Sequence, residues 1–409
     1  MYDHAEILTI GAELLKGSTL NTNAQFLGRE LTQLGFRVVA QTSCGDAIPE
    51  IAARLKDALN RSTVIVLTGG LGPTPDDLTR EAVASYFQVP LVFSKEQFSN
   101  IRKYYRRHAK PAKRLIPELV RKEALYPENA VPLINRFGIA LGFYLRQGRQ
   151  WIFVLPGVPA ELEKMFKQNI VRLLKKNFAE LSAKPHLVVK MVGLSEPEIM
   201  TKLGRDFFDP PFEFGIYPAP GEVAIRIHAE KQSVIRQLKQ KIKRRLGSSV
   251  YAYEEISLAE AIGKILTAKK QSLAAAESCT GGKLSAEITH VPGASLYFKG
   301  GITVYSNEWK ENLGVPKHLI QAKGAVSPEV AWLLAEKVRL YAKSTYGLGV
   351  TGIAGPSGGS KRKPVGLVYI SVAGPKHSKG GQHLFWGDRE QVRTKAVKKA
   401  LEYLWREIR

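Results

Sequence analysis

Thr63-Val64-Ile65-Val66-Leu67-Thr68-Gly69-Gly70-Leu71-Gly72 is a short apolar run that breaks on a glycine-rich turn. A β-branched run of this length reads as a strand buried on both faces, and its neighbours decide what sheet it joins. Upstream, Ala5 to Ile10 is a second such strand, ending at Gly11, and Phe36 to Ala40 is a third. Between them Phe26, Leu27, Leu31 and Leu34 recur at helical spacing from Asn21 to a stop at Gly35, and Ile51 to Asn60 forms another helix. Such alternation predicts a parallel sheet covered on both faces, with ligands bound at the carboxyl ends of its strands. Downstream, Trp151 to Leu155 reads as a further strand running into a helix from Ala160, and the first domain is expected over residues 1–170.

The rest of the 409 residues is too long for one core. Residues 171–255 read as a small α+β connecting module: strands Leu187–Val192 and Glu222–His228, helices Glu196–Leu203 and Val234–Leu246. Residues 256–409 return to α/β order, with strands at Gln271–Ala276, Gly301–Tyr305, Tyr346–Val350 and Val365–Val372, and a helix over Pro328–Ala342. The expected class is therefore two doubly wound α/β domains joined by a small α+β module.

Composition removes several functions. Only Cys44 and Cys279 are present, with no CxxC pair, and the eight histidines lack zinc-site spacing. Gly263-Lys264 and Gly282-Lys283 are not followed by the Ser or Thr of a phosphate-binding P-loop. No apolar run is long enough to cross a bilayer, and the N-terminus carries acids where a signal peptide needs lysines. A cytoplasmic protein without a membrane partner is expected. The net charge of +23 suits phosphate-bearing partners. Without stacking aromatics or a zinc finger, that charge makes a poor case for nucleic acid.

Two stretches carry chemistry. In Thr68-Gly69-Gly70-Leu71-Gly72-Pro73-Thr74-Pro75-Asp76-Asp77 the glycines free backbone N–H groups to face an anion. The adjacent carboxylates either hold magnesium on a phosphate or cap the next helix. Gly11-Ala12-Glu13 and Asn21-Thr22-Asn23 end the first strand on the same sheet edge. In the second stretch, Glu277-Ser278-Cys279-Thr280-Gly281-Gly282 places a serine at a strand-to-helix turn, where it is either a nucleophile or a helix cap. Cys279 is the rival nucleophile. Thr303-Val304-Tyr305-Ser306-Asn307-Glu308-Trp309-Lys310 offers Tyr305 and Lys310 on one turn, aimed at a shared pocket; burial and neighbouring positive charge would let such a lysine act as a base. Val350-Thr351-Gly352-Ile353-Ala354-Gly355-Pro356 adds Thr351 and backbone donors, and Asp388-Arg389 with Arg393 adds guanidinium groups for a phosphate.

Taken together these motifs resemble the CinA competence/damage-inducible family along essentially the whole chain. Gly-x-Glu-Leu-Leu, Asn-Thr-Asn-Ala-Gln, Thr-Gly-Gly-Leu-Gly-Pro-Thr-x-Asp-Asp-Leu-Thr and Leu155-Pro156-Gly157-Val158-Pro159 are similar to its N-terminal, molybdopterin-binding-like domain. The resemblance implies metal-dependent ADP-ribose pyrophosphatase activity there. Asp76 and Asp77 would hold a magnesium ion with Glu13 nearby; Thr68, Gly69, Gly70, Gly72 and Thr74 would cradle the diphosphate, and Asn21 and Asn23 would orient the nucleotide. Departures fall at Ala12, Ala47 and Leu141, each replacing a polar group or turn-former at the sheet edge. The serine, tyrosine–lysine and Thr-Gly-Ile-Ala-Gly-Pro motifs resemble the family's C-terminal nicotinamide-nucleotide amidase, which hydrolyses NMN without a cofactor. That resemblance makes Ser278 the nucleophile, Lys310 the general base and Tyr305 a proton-transfer aid. Thr280, Gly281, Gly282, Thr351 and Arg393 would contact substrate, and a homodimer is expected. The opposing readings are a non-enzymatic competence factor that binds nucleic acid or recombination proteins, and a pterin-binding module without turnover.

Overall fold

A computed structural model describes residues 3–108, 118–181, 184–209 and 212–409. The chain divides into two compact units, Met1–Lys184 and Pro185–Arg409.

In the first unit the strands are β1 (His4–Ile10), β2 (Arg37–Cys44), β3 (Val64–Thr68), β4 (Leu91–Phe93), β5 (Leu125–Pro127), β6 (Val131–Leu133), β7 (Gly142–Gln147) and β8 (Gln150–Leu155). Six of them form a sheet in the order β2-β1-β3-β8-β7-β6, while β4 and β5 pair separately. The four strands from β2 to β8 run parallel, and β7 and β6 add an antiparallel edge. Alternation along β3 sends Val64 and Val66 into one core layer and Ile65 and Leu67 into the other. With β2 and β3 on opposite sides of β1, the loops after β1 and β3 leave in opposite directions. They open a crevice between them.

The first unit extends past residue 170. Helix Pro159–Met165 continues through Phe166–Ile170 into Val171–Asn177, and Leu174 is buried in the same core as Phe166 and Ile170. The apolar spacing never lapses there, so the first unit runs on to Lys184.

The second unit holds two sheets. The first is antiparallel, in the order β10-β11-β9-β12, from β9 (His186–Val192), β10 (Glu213–Ala219), β11 (Glu222–His228) and β12 (Val250–Ala252). Helices Glu196–Leu203 and Gln232–Leu246 contribute Ile199, Leu203, Ile235, Leu238 and Ile242 to its core. The second sheet has the order β14-β13-β15-β16-β17, from β13 (Leu273–Glu277), β14 (Phe298–Thr303), β15 (Tyr346–Gly352), β16 (Leu367–Ala373) and β17 (Ser378–Leu384). Here β14, β13 and β15 are parallel, and β16 and β17 are antiparallel. The α+β module and the C-terminal sheet fall within the same unit. Val192 enters the C-terminal core, and Lys398 Nζ lies 3.1 Å from Glu222 and 2.6 Å from Glu287.

Strand β13 is the pivot of the second sheet. Leu273 and Ala275 face one core cluster, Ala274 and Ala276 the other. Its neighbours β14 and β15 lie on opposite sides, so a second switch point opens after Glu277.

Candidate active sites

The first switch point holds a cleft of about 560 Å³. Glu13, Asn21, Asn23, Thr68, Gly69, Gly70, Gly72, Thr74, Asp76 and Asp77 all line it. Gly69 has φ 105°, and a Cβ there would stand 2.1 Å from the Ile10 carbonyl, so only glycine lets this turn pass the end of β1. Asn23 donates to the Gly157 carbonyl at 2.8 Å and to Thr68 Oγ1 at 3.2 Å, and its buried Oδ1 has no partner among the described residues. Such an acceptor suits a ligand donor. Asn21 is differently employed. Its Oδ1 accepts from Ala24 N at the start of helix Thr22–Gln33, and its Nδ2 donates to Thr9 at 2.9 Å. It therefore builds the cleft wall as a helix cap.

Carboxylates dominate this cleft. Thr74 Oγ1 lies against both Asp76 Oδ1 and Asp77 Oδ2, and Thr74 N donates to Asp77 Oδ2 at 2.9 Å. The Thr74 hydrogen bond holds the Asp76 carboxyl below its usual range, so it stays ionised. Burial pushes Glu123, at the cleft's inner wall, up to about 7. Among the described residues no three His, Cys, Asp or Glu side chains are grouped to hold an ion. The pair Asp76–Asp77 still offers hard carboxyl oxygens of the type magnesium takes when phosphates and water complete its shell.

At the second switch point, Ser278 N donates to Val350 O at 2.9 Å, and Glu277 O accepts from Val304 N at 2.7 Å. The turn carrying Ser278 is thus pinned between the ends of β15 and β14. Sequence reasoning gave Glu277 no role, yet it organises the turn. Its carboxylate, 1 % exposed, accepts from Gly282 N and Leu284 N at 3.0 Å, and from Ser285 N at 2.8 Å and Ser285 Oγ at 2.6 Å. The available signal was an acid at the last position of a buried strand, followed by two glycines and a helix start. Glu277→Gln would turn one acceptor into a donor facing N–H groups. It should cost about 3 kcal/mol and lower the melting transition of this unit by roughly 6–12 °C, readable by calorimetry.

Lys310, on helix Asn307–Asn312, is 1 % exposed. Its Nζ reaches the carbonyls of Val304 at 2.8 Å, Tyr305 at 3.0 Å and Ser306 at 3.4 Å. Val304 N also donates to Glu277 O, so the residue that holds the amine is bonded to the one that precedes Ser278, while among the described residues Lys310 Nζ bonds to these carbonyls alone. Burial draws its pKa below the usual lysine value, while the Cys279 thiol opposes this. The depression comes from desolvation and owes nothing to a neighbouring positive charge. Cys279 is buried, which pushes its thiol up to about 12.

Tyr305, Thr351 and Arg393 each have hydrogen-bond partners within the protein. The Tyr305 side chain is exposed where that of Lys310 is buried, and the Tyr305 hydroxyl accepts from Arg389 Nη2 at 3.3 Å while Arg389 Nη1 donates to Gly355 O at 2.8 Å. Tyr305 precedes the helix by two residues, which turns it outward as the lysine turns in. Thr351 is buried and donates to Ala325 O at 2.8 Å, which fixes a loop. Arg393 donates to Thr280 O at 2.7 Å and pairs with Glu390 at 3.2 Å, so it clamps the serine turn. Asp388 caps helix Arg389–Ile408 through Gln391 N.

Residues 6–176 match a family model described as a probable molybdopterin binding domain, and residues 255–408 match the CinA C-terminal domain. A competence-damage inducible protein from Caldanaerobacter subterraneus subsp. tengcongensis is 41% identical over 410 residues, covering 98% of this chain and 97% of that protein. The chain belongs to the CinA family. Its relative of the same description from Clostridium acetobutylicum is 37% identical over 413 residues, 98% of each chain. A solved CinA structure from Thermoplasma acidophilum is 34% identical, with TM-score 0.37, over 43% of this chain and 98% of its own. The names of these CinA relatives describe induction and leave the reaction open. No helix among the described residues is long and apolar enough to cross a membrane.

Proposed function

We propose that this CinA-family chain is a nicotinamide-nucleotide amidase, which hydrolyses NMN to nicotinate mononucleotide and ammonia. The observation that carries the reading is a buried lysine amine, made less basic by desolvation and bonded to Val304, whose N–H in turn donates to the residue before Ser278. In its neutral form Lys310 has two N–H bonds and one lone pair. The Val304 and Tyr305 carbonyls take the two hydrogens, and the longest contact, to Ser306, is the one released to free the pair. The lone pair removes the Ser278 proton as Oγ attacks the carboxamide carbon. The lysine then returns that proton to the departing nitrogen, ammonia leaves, and water hydrolyses the acyl-serine by the same relay. Purified protein should release one ammonia per nicotinate mononucleotide formed, at a rate unaffected by a chelator. Failure to release ammonia from NMN overturns the reading. DNA affinity that falls steeply with salt and ignores Ser278 would then favour the competence-factor alternative, and tight retention of a pterin without turnover the binding-module one.

A second reading concerns the N-terminal cleft, favoured by the buried Asn23 acceptor and the Asp76–Asp77 pair. We propose that it binds a nucleotide diphosphate such as ADP-ribose together with magnesium. The ion would offset charge between the carboxylates and the diphosphate. Asp76 and Asp77 would hold it, the Gly69–Thr74 turn would hold the phosphates, and Asn23 would accept from the nucleotide. Asp77→Asn retains an acceptor for Thr74 N and removes the charge. It should abolish magnesium-dependent cleavage of ADP-ribose, measured as AMP release, while NMN turnover stays within about twofold because the two sites belong to different units and share no residue. Parallel loss of both activities would refute two separate sites.

A further inference from the structure

The backbone donors of the serine turn are almost all spent. Ser278 N goes to Val350 O, Gly281 N to Ser278 O, Lys283 N to Thr280 O, and Gly282, Leu284 and Ser285 N to the Glu277 carboxylate. Two remain. Among the described residues no hydrogen bond takes the N–H of Thr280 to any acceptor, and that of Cys279 reaches only its own sulfur. Both residues are buried, and the Thr280 hydroxyl, on a side chain 0 % exposed, also lacks a partner. Leaving buried donors unmade costs about 1–3 kcal/mol each, and native folds rarely tolerate it without a ligand or a water. These donors belong to the two residues that follow the nucleophile, the place from which a strand-to-helix serine turn can serve an oxyanion.

We propose that the N–H groups of Cys279 and Thr280, assisted by the Thr280 hydroxyl, form the oxyanion hole of the amidase, and that Glu277 fixes the turn around them by holding the Gly282, Leu284 and Ser285 N–H groups. The proposal rests on the amidase reading of the same site. When Ser278 Oγ bonds to the carboxamide carbon, the C=O π pair moves onto oxygen and the serine proton moves to Lys310. The negative oxygen is then met by the N–H pair. Collapse re-forms the carbonyl and breaks the C–N bond as Lys310 delivers its proton to nitrogen. Arg393, donating to Thr280 O, polarises the peptide that follows and fixes its plane. A thiol that stays protonated beside the hole also places no second anion there.

The test removes the N–H without changing the side chain: Thr280 is replaced by its α-hydroxy acid analogue, which converts the preceding amide to an ester. We expect kcat for NMN to fall by about 10²-fold with KM within about threefold, the pattern of a group that acts in the transition state. Binding of 3-formylpyridine mononucleotide, whose serine adduct mimics the tetrahedral state, should weaken by a similar factor while the melting temperature holds. Thr280→Val should lower kcat by about tenfold and Thr280→Ser should restore it. Wild-type turnover with an ester variant of undiminished kcat overturns the oxyanion assignment and leaves the amidase standing. A wild-type protein without ammonia release removes both, and a change confined to KM assigns Thr280 to ground-state binding and also overturns the proposal.

Discussion

Ser278→Ala should reduce ammonia release from NMN by about 10⁴-fold or more, because a nucleophile, its base and the oxyanion donors act as one unit. The fold should not notice. Ser278 is held through its backbone, by Val350 on one side and by the pairing of Glu277 with Val304 on the other, and both survive loss of the hydroxyl. The melting temperature should therefore stay within about 2 °C of wild type, as for other substitutions that break no cap or network. The discriminating control is Cys279→Ala. With burial pushing its thiol up to about 12, Cys279 stays protonated at neutral pH, and the alanine variant should keep most of its turnover. Loss of activity in Cys279→Ala with retention in Ser278→Ala would reverse the assignment. The readout is ammonia in a coupled assay together with thermal unfolding of each variant.

What the sequence could convey depended on whether a feature was local. Val64 to Thr68 and Leu273 to Glu277 were legible because strands buried on both faces need unbroken apolar runs. All ten N-terminal candidates line one cleft because parallel topology brings the ends of β1 and β3 to one edge. Edge strands were harder. Ser378–Leu384 carries Lys379, Gly380 and Gly381, and Glu213–Ala219 contains Gly215 and Pro218, so neither shows the apolar run that marks a central strand. Direction was hidden as well. Tyr305 and Lys310 lie five residues apart in one motif, yet the helix start at Asn307 sends one outward and the other in. Glu277, Thr351 and Arg393 act on backbone atoms far along the chain or across a turn, and no spacing rule announces a side chain whose partner is a carbonyl or an N–H.

Lys310→Met should lower kcat/KM for NMN by about 10³-fold, in the middle of the range a general base contributes, and should remove a limb from the pH profile. The sign follows from the charge state that works. Only neutral Lys310 can accept the Ser278 proton, so kcat/KM of the wild type should rise about tenfold per pH unit below the lysine's own pKa and level off above it. Burial places that inflection below the ordinary value of 10.5. Stability is linked in the same direction. Between the depressed folded value and the unfolded value the unfolded chain binds the extra proton, so the contribution of Lys310 to stability increases with pH across that window and is constant outside it. Methionine fills nearly the same volume but gives up the bonds to the Val304, Tyr305 and Ser306 carbonyls, so its variant should melt lower and without that rising component. Lys310→Arg separates the two effects: a guanidinium can still donate to the carbonyls but stays protonated, so it should recover part of the stability and none of the turnover. Rates between pH 6 and 10 for the three proteins, with melting curves at the same pH values, decide the matter. A methionine variant that keeps both its rate and the rising limb would show that the proton of Ser278 goes elsewhere.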